Sequence, residues 1–94
     1  MYARRTDANH SEIVRDLRKV FCSVVDLSRV GKGCPDLLVG VQDRTFLVEI
    51  KHGKNKLQAV QTEFHELWRG DKIIVGYSFE EIYNKIRELV NKSQ

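Results

Sequence analysis

The sequence predicts an α/β fold, a three-layer sandwich with helices on both faces of a central mixed sheet. Two observations carry that expectation. Segments with helical apolar spacing alternate with short runs rich in β-branched residues. Two of those runs, Asp36-Leu37-Leu38-Val39-Gly40-Val41 and Arg44-Thr45-Phe46-Leu47-Val48-Glu49-Ile50-Lys51, are apolar on both alternating faces. Strands apolar on both sides need cover on both sides.

The chain of 94 residues is of single-domain length. No repeat, linker or low-complexity tract divides it. Residues from about Asn9 to Phe21 form a first helix, with Ile13, Leu17, Val20 and Phe21 on one stripe and Asn9 or Ser11 as its cap. Cys22 to Leu27 reads as a strand. Arg29-Val30-Gly31-Lys32-Gly33-Cys34-Pro35 is a basic loop, punctuated by Gly and Pro. The two apolar strands follow, joined at Gln42-Asp43. A second helix spans Lys56 to Arg69 and stops at Gly70, with Leu57, Val60, Phe64, Leu67 and Trp68 as its apolar arc. Lys72 to Tyr77 is a fourth strand. Ser78 caps a last helix that runs to about Asn91, with Ile82, Ile86, Leu89 and Val90 facing inward. The order is α-β-β-β-α-β-α.

Composition narrows the function. The chain is 41% hydrophobic and 31% charged with net charge +3, which suits a polyanionic partner without proving one. No apolar run approaches the roughly 20 residues of a membrane span. The opening Met1-Tyr2-Ala3-Arg4-Arg5 has no apolar stretch behind its basic pair, so no signal peptide and a cytoplasmic location are expected. Cys22 and Cys34 have neither disulfide-framework nor zinc-finger spacing, and His10, His52 and His65 do not form a zinc motif.

The chemistry lies where the two central strands end. If Gln42-Asp43 is a two-residue hairpin loop, Val41 opposes Arg44 and Asp36 falls opposite Glu49, on the same face. A three-residue loop would instead oppose Asp36 to Ile50. Lys51 follows Glu49 by two and shares its face. Paired carboxylates repel unless a positive charge lies between them, and a divalent cation with oxygen ligands at about 2.1 Å fits such a gap. Gln61 is a polar residue inside the apolar arc of the second helix and needs a buried partner.

Gly33-Cys34-Pro35-Asp36 followed by Glu49-Ile50-Lys51 resembles the PD-(D/E)xK nucleases, and within them the VRR-NUC (virus-type replication-repair nuclease) family. The likeness covers nearly the whole chain: Ser11-Glu12, the Gly-x-Pro-Asp-Leu-Leu-Val turn, Leu-Val-Glu-Ile-Lys and Leu57-x-x-x-Gln61 match in order. The resemblance implies a restriction-endonuclease-like fold and a DNA endonuclease dependent on Mg²⁺ or Mn²⁺. It implies that Asp36 and Glu49 ligate the metal with the main-chain carbonyl of Ile50, and that Lys51 activates water and stabilises charge on the phosphate. Glu12 would join the metal cluster, with Asp16 as the competing helix-borne acid, and Gln61 would position water or Lys51. A homodimer cutting branched or four-way junction DNA, a role in DNA repair, and a viral or phage origin follow from the same likeness. Arg4, Arg5, Arg29, Lys32, Lys54 and Lys56 cluster in sequence around the site and are expected to meet phosphates. The rival expectations are a non-catalytic nucleic-acid-binding module with a nuclease fold, and a sequence-specific duplex endonuclease.

Overall fold

The structure is a computed structural model that describes residues 6–53 and 56–92, with the side chains described from residue 9 onward. Helix α1 spans Thr6–Lys19, α2 Ala59–Leu67 and α3 Phe79–Lys92; the strands are β1 (Ser23–Asp26), β2 (Leu37–Val41), β3 (Arg44–Ile50) and β4 (Ile74–Gly76). They form one four-stranded mixed sheet in the order β1-β2-β3-β4. The pairs β1–β2 and β2–β3 are antiparallel and β3–β4 is parallel, with α2 carried on the crossover between the parallel strands.

The core lies on one face of the sheet. Val24, Leu37, Val39, Phe46, Val48, Ile50 and Ile74 meet Ile13 and Leu17 of α1 and Ile82, Ile86 and Val90 of α3. The apolar residues of α1 and α3 recur at helical spacing, so each helix buries one stripe there. Ser78 starts α3 by accepting the Glu81 N–H, and the Glu81 carboxylate returns to the Tyr77 N–H at 2.8 Å. Cys22 is buried in the core, and both cysteines are free thiols.

The opposite face is covered differently from the expectation. Leu47 is buried there, but no residue of α2 is. Val60, Leu67 and Trp68, expected in the core, are all exposed, and Trp68 stacks on Phe64 with ring centroids 5.7 Å apart. The arc is split because α2 turns Gln61 and His65 toward the sheet, where the group beneath them is the carboxylate of Glu49.

Two turns take left-handed backbone at residues that disfavour it. Gln42 and Asp43 have φ of 50° and 65°, the pattern of a type I′ hairpin turn. Val41 accordingly opposes Arg44, and the ladder runs to Leu37 opposite Val48. At the end of α1, Cys22 N–H bonds back to Leu17 O and Phe21 adopts φ 70°. Phe21 is therefore not a core residue: the chain must reverse to feed β1, and its ring is 92% exposed. Phe21→Gly should stabilise the fold by about 1 kcal/mol, because glycine takes this conformation freely and almost no side-chain burial is lost. Urea unfolding of the two proteins measures the difference; equal or lower stability for the variant would contradict it.

Candidate acidic cleft

The sheet ends in a cleft of about 620 Å³ on the α2 side, lined by Asp36, Glu49, Ile50, Lys51 and Gln61 together with His10, Arg29, His52 and Lys56. The tight hairpin sets its centre. With Leu37 opposite Val48, continuation of the pairing brings Asp36 beside Glu49 at the strand ends. Pro35 is fully buried just before Asp36, and the Asp36 carbonyl accepts the Leu27 N–H at 2.8 Å, so Asp36 is anchored by its own backbone. Its carboxylate takes the Ile50 N–H at 2.7 Å, bridging β2 to the end of β3.

Glu49 is 4% exposed and is the one charged residue among the buried described residues. Gln61 Nε2 donates to its Oε2 at 3.2 Å. The orientation of that amide is settled at its other end, where Gln61 Oε1 accepts the Gln58 N–H at 2.7 Å. Glu49 Oε1 has no hydrogen-bond partner among the described residues. Burial first, then the charge of Asp36 and a proton-mediated bond to it, push the Glu49 pKa up to about 8. Two acids brought together with too little solvent hold a proton at neutral pH. Their oxygens suit a hard divalent cation that would displace that proton.

Lys51 lines the same cleft, but its ammonium stands over the Tyr77 ring at 5.6 Å. It is close enough to Glu81 to help hold that carboxyl below its usual range, behind the larger effects of the Tyr77 N–H and Lys85. Glu12 is exposed and is not on the cleft wall, where α1 contributes His10 and Ser11. Asp16 pairs with its neighbour Arg15 at 3.3 Å. Among the described residues no three His, Cys, Asp or Glu side chains converge, so the carboxylate pair stands without a helix-borne acid. Arg29 and Lys56 reach the cleft, whereas Lys32 sits exposed in the preceding loop and is not on its wall. Arg4, Arg5 and Lys54 lie outside the described residues.

Three histidines that sequence spacing left without a role border this region. His52, just past the end of β3 at Ile50, lines the cleft. His10 binds Asp26 at 3.1 Å, tying α1 to the end of β1. His65 places Nε2 3.9 Å from Glu49 Oε1. A sequence signal for His65 exists in retrospect: it stands one helical turn after Gln61, on the same face of α2.

Comparison with family models, with curated proteins and with solved structures gives no match. The fold and site define a mixed α/β protein with a carboxylate pair, buried Glu49 beside half-buried Asp36, at the end of an antiparallel hairpin.

Two measurements check this geometry. A Glu49 pKa raised from 4.5 to about 8 gives the fold stability that is complete below pH 4.5 and lost as pH rises through about 8. Metal-free protein should therefore lose stability across that window, by on the order of a few kcal/mol, and Glu49→Gln should flatten the slope. Urea unfolding against pH reads this directly. Separately, a Cβ on Gly33 would lie 2.3 Å from the Val60 carbonyl oxygen, and Gly33 has φ +82°. Gly33→Ala should force α2 off its seat and cost about 2–3 kcal/mol. The expected signature is a lower Tm with faster amide exchange in α2.

Proposed function

We propose that this chain is a metal-dependent DNA endonuclease of the VRR-NUC type, with a restriction-endonuclease-like fold, acting on branched or four-way junction DNA. The observation that carries the reading is the buried Glu49 carboxyl beside Asp36 with one oxygen left without a hydrogen-bond donor. A buried acid with an unsatisfied oxygen is costly to keep, and a cation ligand is a physical reason for keeping it.

The donor set fits the group. Asp36 and Glu49 would hold Mg²⁺ or Mn²⁺ through carboxylate oxygens, with the main-chain carbonyl of Ile50 as a third protein ligand. When bound, the ion lowers the pKa of a water and offsets charge on the scissile phosphate. The remaining work falls to the protein. Asp36, anchored by the Ile50 N–H, keeps its orientation as charge changes beside it. Gln61 fixes Glu49 through Oε2 and shields that oxygen from bulk water. Lys51 swings from the Tyr77 ring into the cleft to meet a phosphate oxygen, a motion that a long unbranched side chain makes without disturbing the sheet. Arg29 and Lys56 hold the DNA backbone by charge, which makes binding salt-dependent and weakly sequence-selective. Glu12 takes no part in the metal shell on this geometry.

Two copies acting on opposite strands would suit a symmetric junction, so the active form is proposed as a homodimer. No helix among the described residues is long and apolar enough to cross a membrane.

Four-way junction, flap, splayed and linear duplex DNA, each incubated with Mg²⁺, Mn²⁺ or EDTA, test the reading. Cleavage of branched substrates that needs metal is expected, with Asp36→Asn and Lys51→Ala each lowering the rate at least about a hundredfold while DNA binding persists. Binding without metal-dependent cleavage of any substrate would sink the proposal in favour of a non-catalytic module. Cutting confined to one sequence in linear duplex would redirect it to a sequence-specific enzyme.

A further inference from the structure

Glu49 Oε1 and His65 Nε2 are the two buried side-chain polar atoms without a hydrogen-bond partner among the described residues, and they face each other at 3.9 Å. Two orphaned buried atoms of complementary chemistry are unlike the usual state of a protein interior, where such groups are satisfied. A closure of under about 1 Å makes them a hydrogen bond. Gln61 and His65 are four residues apart on α2 and so project from the same side of the helix, one toward each oxygen of the same carboxylate. The imidazole is 17% exposed at its side chain, and Glu49 5%, so water does not compete for the contact.

We propose that His65 is a positioning residue for Glu49: its Nε2–H closes onto Oε1 when that carboxylate is engaged by a cation, so that Gln61 and His65 clamp both oxygens. The inference rests on the metal-dependent reading above and adds a residue to it. The clamp fixes which lone pairs of Glu49 face the ion and makes the carboxylate a better ligand, the role that outer hydrogen bonds have at metal sites. His65 touches neither the ion nor the DNA.

Calorimetric titration of the full chain with Mn²⁺ tests the clamp, with wild type, His65→Ala and His65→Gln compared at one pH. His65→Ala should weaken Mn²⁺ binding about tenfold or more, and His65→Gln, which keeps an N–H donor, should recover part of the loss. A second readout uses the wild-type protein alone, so it survives a variant that fails to fold. Nitrogen-15 NMR of the imidazole should show Nε2 protonated with saturating Mg²⁺, and its signal should shift as Mg²⁺ is titrated in. Unchanged Mn²⁺ affinity in a folded His65→Ala overturns the clamp. So does an unprotonated Nε2 in the Mg²⁺ form, which would make His65 a ligand or a bystander. If wild type itself takes up no Mn²⁺ or Mg²⁺, the metal-dependent reading falls and the clamp with it, an outcome distinct from a variant that binds as wild type does.

Discussion

The confinement of Glu49 is the constraint on which the rest of the molecule turns. A carboxyl group in the second half of a strand, covered by a helix and pressed against another acid, works against both the β-propensity of its residue type and the cost of burying charge. Everything nearby is arranged around it. Asp36 is tied down by the Ile50 N–H, Gln61 is oriented by the Gln58 N–H so that only its amide nitrogen can face Glu49, and α2 gives up a dry interface to bring two polar side chains to the sheet. The helix is held on that side less by apolar burial than by these contacts and by the close approach of Gly33 to its Val60 carbonyl.

The two faces of the sheet divide the labour. One carries the continuous core made with α1 and α3, which supplies most of the apolar burial. The other is sparsely covered, and there a polar cluster can be kept without breaking the packing that stabilises the domain. Such a division places the less stable layer over the chemistry, where small adjustments of Lys51 or His65 cost little.

Much of this was legible in the residues. The parity of β2 and β3, with a two-residue link, places Asp36 beside Glu49 by counting alone, and Gln61 declares itself as a polar residue on an otherwise apolar stripe. What escaped has physical reasons. Helical spacing marks Val60, Leu67 and Trp68 as one arc but cannot say whether the surface below is apolar enough to receive them, and here it holds an acid. Phe21 continues the stripe of α1 in sequence, yet the need to reverse direction after Lys19 puts it in a left-handed turn. The position of Glu12 depends on how α1 rolls over the sheet, which is set by tertiary packing and not by spacing. His65 carries no metal-motif spacing because its partner is a side chain on a distant strand.

The turn at Gln42 and Asp43 has a consequence for how the chain can change over generations. Its last residue, Asp43, lies about 20 Å from Glu49 along the chain, reckoned at roughly 3.4 Å per residue, and neither turn residue lines the cleft. Yet a one-residue slip of the pairing there, with Val41 opposite Thr45, would roll every later side chain of β3 to the far side of the ribbon relative to β2, putting isoleucine beside Asp36 and the acid into the oily interior. The pairing of Val41 with Arg44 is therefore fixed even though the loop tip is solvated, while added residues that leave that pair in place are tolerated. A site can thus be policed from the opposite end of a strand, by arithmetic and without contact.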